Sequence, residues 1–364
     1  MQPKPHRPLR ERKSGLIQFR VTPSVEKQLA SHLDGSAKIT SLDKVARRLL
    51  LEALDQRELD RKLDGFDANE LQNYQVFEGD ALRVLPKLPA KAFQTCICSP
   101  PYWRQRDYGH PAQLGREPSS DVYINRLAEA FMAVHRVLRD DGTLWIVIDD
   151  TYWKKQLAGI PWRLALDLQR RGWVWRSEIA WVKASTPEPA KDRPTRAHEA
   201  VLLFSKRKNY FYDHAPVLEP HDNPWAIDCI QKAQAAGLKG RPKTNPFSKD
   251  QRRSNGSRGI TRAEYGTLMN PAGKNRRDVW FINSEKHRGS HSAVMPVRLA
   301  ELCIRASTKA GDLVLDPFAG VGTSGIAALK LGRRFVGVEL VPDFVYSAGE
   351  RLQIAQPVAP ATAS

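Results

Sequence analysis

Apolar positions change their spacing three times along the chain. Near the start, Ile17, Phe19 and Val21 alternate with Gln18 and Arg20, the pattern of a half-buried strand. Thr22-Pro23 then offers a capping side chain followed by proline, and Val25, Leu29 and Leu33 line one face of a predicted helix. Asp34-Gly35-Ser36 breaks it. Thr40, with Asp43 three residues on, opens a second helix that repeats Val45, Leu49 and Leu50 at helical spacing. From Tyr74 onward, short apolar runs alternate with helical patterns. Strands are expected at 75–77, 95–98, 143–148, 178–182, 200–204, 313–315 and 335–338. That rhythm predicts an α/β fold with a doubly wound, mostly parallel sheet. Between about 220 and 277 the rhythm fails, and the chain becomes polar, basic and rich in Gly, Asn and Pro.

These changes divide the chain into seven segments. They are a basic arm expected to be disordered (1–15), a small strand–helix–helix module (16–56), a charged linker (57–73), an α/β stretch (74–219), a basic insert (220–277), a second α/β stretch (278–352) and a disordered tail (353–364). One strand and two helices in about 40 residues cannot bury a core alone. Their order resembles the ribbon-helix-helix family, in which two chains pair strands and the ribbon enters the DNA major groove. The resemblance implies a homodimer, with Gln18 and Arg20 facing base edges. A packing appendage is the alternative.

Charge changes the picture most. The 364 residues carry a formal net charge of +17, which points to a polyanionic partner. The excess is clustered: twelve Lys and Arg fall between Lys232 and Arg277, including Arg252, Arg253 and Arg258, against only Asp250 and Glu264. Cys96, Cys98, Cys229 and Cys303 form no CxxC pair, which argues against a zinc site or a disulfide framework. No apolar run approaches a membrane span and no secretory h-region opens the chain, so a cytoplasmic location is expected.

Two short motifs carry chemistry. "TCICSPPYW" runs from a predicted buried strand into Ser99-Pro100-Pro101, then Tyr102 and Trp103. The prolines stiffen an extended loop and donate no hydrogen bond, leaving a hydroxyl, bare carbonyls and aromatic faces. Far downstream, "LVLDPFAGVGTSG" runs from a strand into Gly320-x-Gly322-x-x-Gly325, and Glu339 ends the next strand. Glycines with a following acid suit a bound nucleotide, and the spacing alone fits NAD as well as another adenosine-bearing cofactor.

Taken together, "DPFAGVGTS" and "SPPYW" resemble the cofactor and catalytic motifs of the DNA amino-methyltransferases. The resemblance runs from about Tyr74 to Leu352. The order of catalytic motif, basic insert and cofactor loop resembles the family's β group. It implies a Rossmann-like sheet in circularly permuted motif order, with 74–219 as catalytic half, 220–277 as target-recognition insert and 278–352 as cofactor-binding half. The implied cofactor is S-adenosylmethionine and the implied partner double-stranded DNA. A restriction endonuclease partner and a solitary regulatory role are equally compatible.

An exocyclic amine has its lone pair delocalised into the ring and must be swung out of the stack to react. Ser99 and the Pro100 carbonyl are expected to accept its two protons, with Pro101 fixing the loop and Tyr102 stacking on the base; Trp103 is a weaker stacking candidate. By resemblance, Asp316, Phe318, Gly320, Gly322 and Thr323 surround the methionine part of the cofactor. Glu339 holds the ribose hydroxyls, Asp80 lies near the adenine amine, and Ser292 and Pro296 touch the methionine tail. His287 and His291 are read as loop residues, since no carboxylate or cysteine completes a metal set. Trp173, Trp175 and Trp181 follow strand alternation and are expected in the core or an interface. Serine at the first motif position does not choose between N6 of adenine and N4 of cytosine. The competing readings are an RNA or protein-amide methyltransferase and a non-enzymatic DNA-binding repressor.

Overall fold

In the computed structural model the described residues are 53, 56–183, 190–238, 262–283 and 295–355. Gln18, Arg20 and almost all of the strand–helix–helix module lie outside them, as do Arg252, Arg253, Arg258, His287, His291 and Ser292. The chain clusters into two compact units, residues 1–62 and 63–364. In the first, residues 56–62 are helical.

The second unit is built on ten strands: β1 (Tyr74–Glu78), β2 (Phe93–Cys98), β3 (Leu138–Ile148), β4 (Tyr152–Trp153), β5 (Gln156–Leu157), β6 (Val174–Val182), β7 (His198–Ser205), β8 (Val279–Phe281), β9 (Leu313–Asp316) and β10 (Arg334–Glu339). Eight of them form one sheet in the order β1-β10-β9-β2-β3-β7-β6-β8, and β4 and β5 pair as a separate hairpin. Each of the seven expected strands is present. The three-residue β8 and the hairpin are additions. In the main sheet only β7 runs against its neighbours. The central parallel strands β2, β9 and β10 are buried on both faces and so read as near-continuous apolar runs; all six residues of β2 are buried.

Eight helices complete the described unit: α1 (Ala81–Val84), α2 (Ser120–Val137), α3 (Ile160–Arg170), α4 (Pro224–Ala235), α5 (Arg262–Gly266), α6 (Val297–Ser307), α7 (Thr323–Lys330) and α8 (Pro342–Ala355). Their starts are written locally. Ser119 accepts from Val122 N at 3.3 Å, Asn223 from Trp225 N at 2.9 Å ahead of Pro224, and Asp150 from Gly159 N and Ile160 N. Tyr123, Leu127, Phe131 and Val134 make the buried stripe of α2. Leu299, Cys303, Ile326, Ala348 and Leu352 from α6, α7 and α8 cover one face of the sheet, against Ile97, Trp145, Val201 and Val314. α8 continues to Ala355, so residues 353–355, expected in the tail, are helical.

The two α/β stretches share this single sheet: β1 lies beside β10, with Tyr74 opposite Phe335, and β2 lies beside β9. The insert contributes helix as well as loop. Several of its cations are neutralised by acids outside the stretch in which charges were counted. Lys232 and Arg262 pair with Asp228, Lys274 with Asp222, and Arg276 and Arg277 with Glu219. All four cysteines are buried and free. Among the described residues no helix is long and apolar enough to cross a membrane.

Candidate active site

In a doubly wound sheet, ligands sit beyond the carboxyl ends of the strands, where the winding direction reverses. Here the reversal falls between β9 and β2, which are neighbours although some 200 residues separate them. A cavity of about 400 Å³ opens at that edge. Its wall is made of strand-terminal residues: Asp80 just beyond β1, Ser99 just beyond β2, Asp149 just beyond β3, Asp316 ending β9 and Glu339 ending β10.

The cavity brings the two sequence motifs together. Ser99, Pro100, Pro101 and Tyr102 line it with Asp80, Asp316, Phe318, Gly320, Thr323 and Glu339. Two expected residues stand back from it. Gly322 begins α7 with φ +80°, and a Cβ there would lie 3.2 Å from Ala348 Cβ, so it serves close helix packing. Pro296 caps α6, and the neighbouring Met295 lines the cavity instead. Trp103 is not a stacking face: it is buried beneath the loop and donates from Nε1 to Glu117 O at 3.1 Å. Of the three tryptophans expected in the core or an interface, Trp173 and Trp181 are buried. Trp181 also borders the cavity, while half-buried Trp175 stacks on Phe204.

Hydrogen bonds fix the cofactor-motif wall. Asp316 accepts from Phe318 N at 2.9 Å and from Ser324 Oγ at 2.5 Å. Burial nevertheless pushes its carboxyl up to about 7, against those two bonds and with the Glu339 charge adding to the rise. Glu339 accepts from Gly320 N at 2.7 Å through Oε2 and from Val341 N at 2.9 Å through Oε1. Its carboxyl is also raised, again mainly by burial. Each of its oxygens keeps a lone pair for another donor. Asp80 caps α1 through Oδ1, accepting from Leu82 N at 3.0 Å.

Sequence reasoning missed a second group on the opposite wall. Because β7 is antiparallel, it begins where its neighbours end, and Glu199 therefore opens into the cavity. Lys183 follows the last residue of β6 and pairs with Glu199. The Tyr102 hydroxyl donates to Glu199 Oε2 at 2.7 Å, and Ser99 Oγ donates to the Tyr102 oxygen at 3.1 Å. Burial, and after it the Glu199 charge, hold the Tyr102 hydroxyl well above its usual range. Beside them Asp149 binds Arg196 at 2.8 Å. The hairpin β4–β5 hangs next to the catalytic loop, with Thr151 Oγ1 donating to Trp103 O at 2.8 Å and the Arg104 guanidinium 4.0 Å from the Trp153 ring centre.

The lining suits a cationic nucleoside with a zwitterionic tail. Carboxylates of Asp80, Asp149, Glu199, Asp316 and Glu339 outnumber the cations Arg106 and Lys183. Thr323 Oγ1 is buried at the same wall with no hydrogen-bond partner among the described residues. An orphaned buried hydroxyl is costly unless a ligand completes it. Space above Gly320, where a Cβ would meet nothing within 4 Å, leaves room for close approach to the backbone. No group of three or more His, Cys, Asp or Glu fit to hold a metal occurs among the described residues.

The chain's relatives agree with this geometry. A family model described as DNA methylase matches residues 93–350. The Type II methyltransferase M.Cfr9I of Citrobacter freundii is 37% identical over 322 residues, covering 80% of this chain and 92% of that protein. The Type II methyltransferase M.SmaI of Serratia marcescens is 35% identical, covering 80% and 96%. Among solved structures, TTHA0409 of Thermus thermophilus, complexed with S-adenosyl-L-methionine, is 26% identical with a TM-score of 0.51, covering 78% of this chain and 95% of that one. With catalytic loop ahead of cofactor loop on one permuted sheet, the chain belongs to the DNA methylase family, in the β group of its N6-adenine and N4-cytosine methyltransferases.

Proposed function

We propose that this protein is an S-adenosylmethionine-dependent DNA methyltransferase that modifies the exocyclic amino nitrogen of a base swung out of the duplex. The observation that carries the reading is the meeting of Ser99-Pro100-Pro101-Tyr102 with Asp316, Gly320 and Glu339 around one cavity. When bound, S-adenosylmethionine supplies an electrophilic methyl group on a sulfonium sulfur. Glu339 has lone pairs that would hold two ribose hydroxyls, Asp316 would offer an anion to the ammonium group, and Thr323 Oγ1 with the amides opening α7 would hold the carboxylate.

On the opposite side, Ser99 and the Pro100 carbonyl accept hydrogen bonds from the two amine N–H groups while the Tyr102 ring supports the base. Those bonds draw the nitrogen out of conjugation and aim its lone pair. Held in this way, the amine nitrogen would take up the methyl group that S-adenosylmethionine would supply, and the proton it loses in exchange would pass to water. The acceptor amine is N6 of adenine or N4 of cytosine. Family membership favours DNA over RNA or protein amides. The complete set of motif residues favours an enzyme over a repressor.

Expression in a methylation-free host, followed by digestion of its DNA to nucleosides and mass spectrometry, tests the reading. N6-methyladenine or N4-methylcytosine supports it and names the base. Absence of both marks, with the purified protein still binding S-adenosylmethionine, overturns DNA as the acceptor.

A further inference from the structure

Serine is an awkward first residue for a loop that must accept a proton from an amine. A hydroxyl is both donor and acceptor and can turn its own hydrogen toward the incoming base. The structure removes that freedom. Glu199 is ion-paired with Lys183, so as a carboxylate it can only accept. Tyr102 has a single hydroxyl hydrogen and gives it to Glu199 at 2.7 Å. Its oxygen is then left to accept, and Ser99, 3.1 Å away, is the donor. Each hydrogen in the row is committed in one direction, away from the cavity.

We infer that Glu199 is a positioning residue that, through Tyr102, orients the Ser99 hydroxyl so that its lone pairs face the target amine. The row makes a neutral serine act as a one-way acceptor, in the place where an aspartate would be one by its charge. Directional chains of hydrogen bonds also polarise one another, which strengthens the terminal acceptor. Burial keeps Tyr102 protonated, as the row requires. Glu199 itself needs no contact with the base. Topology explains how it arrives: Glu199 sits opposite Trp181 in the β6–β7 register, one residue into the single reversed strand.

This inference rests on the methyltransferase reading, and the test separates the two. Single-turnover methylation of DNA by the full chain at saturating S-adenosylmethionine is measured for the native protein, Glu199→Gln, Tyr102→Phe and the double variant. No turnover by the native protein means that the functional reading fails. Glutamine keeps an amide oxygen for Lys183 and phenylalanine keeps the ring, so cofactor affinity and DNA KM are expected to stay within about twofold. The turnover rate is expected to fall roughly 10- to 100-fold in each single variant, up to the lower end of the roughly 10²–10⁴-fold that groups acting directly in proton transfer contribute. The decisive result is the double variant, which should be no slower than Tyr102→Phe alone, because both changes cut one row. Losses that multiply, or a Glu199→Gln enzyme at native rate, overturn the inference. Should Glu199→Gln fail to bind cofactor through misfolding, Tyr102→Phe decides alone: native turnover refutes the row and a reduced rate at unchanged KM supports it.

Discussion

The Ser324 hydroxyl lies 2.5 Å from Asp316 Oδ2, donated from the second residue of α7 back to the last residue of β9. With the Phe318 amide it braces a carboxyl that burial holds near 7. A raised acid binds its proton more tightly folded than unfolded. Its stabilising contribution is therefore complete below the unfolded value of 3.8 and is lost as pH rises through about 7. Urea denaturation of the ligand-free protein should show Asp316→Asn reducing that loss between pH 5 and 8.

Cofactor binding should run the opposite way. A cationic ligand prefers the ionised carboxylate, so affinity should rise with pH up to about 7 and fall about tenfold for each unit below it. Calorimetric titration across that range checks the slope. Asp316→Ala should abolish binding at every pH, and unchanged affinity in that variant refutes the assignment.

Tyr102→Ala removes the ring along with the hydroxyl. Loss of a stacking face costs about 1–3 kcal/mol per base, so DNA affinity should drop about 5- to 150-fold, and turnover by more than 100-fold. S-adenosylmethionine binding should persist, because Tyr102 stands on the wall across from the cofactor motif. A repressor would keep its in vivo function through this change.

Trp145 and Ser307 join the sheet to α6 by a fully buried hydrogen bond of 2.7 Å from Nε1 to Oγ. Ser307→Ala leaves the indole N–H without a partner, and an orphaned buried donor costs about 1–3 kcal/mol. Chemical denaturation should register the loss while turnover per folded molecule stays unchanged.

Gly325 lies inside α7, where an added Cβ would come within 2.6 Å of Leu352 and 2.7 Å of Phe335. Both neighbours are fully buried and have nowhere to move. Overpacking of this kind costs about 1–3 kcal/mol. Gly325→Ala should lower the thermal midpoint, and full stability in that variant would mean α8 moves aside.

Much of the site was legible because its residues end strands that announce themselves. A buried parallel strand reads as a continuous apolar run, so the residues just past it, Ser99 and Glu339 among them, are marked by position as well as by motif. Glu199 and Lys183 carried no such mark. Their arrival depends on β7 running backwards between β3 and β6, a pairing that local pattern does not encode. The hairpin was hidden for a conformational reason: its turn is Lys154-Lys155, both at positive φ, where glycine or asparagine is the usual signal. Trp103, the weaker stacking candidate, is buried and bonded to Glu117, since an aromatic beside a proline loop can point either way. Asp222, Asp228 and Glu219 stand just upstream of Lys232, and folding brings them onto Arg262, Lys274 and Arg277, so the basic cluster is less cationic than its own residues suggest.

The pairing of β1 with β10 has a bearing on biogenesis. On the ribosome Tyr74 emerges early, and its partner Phe335 follows 261 residues later. At about 5–20 residues per second that interval is roughly 10–50 s. Until it closes, one edge of β2 also awaits β9, and the nascent chain holds a catalytic loop without a finished nucleotide wall. A chain that stops short of β9 and β10 thus lacks Asp316 and Glu339 and with them one wall of the cavity.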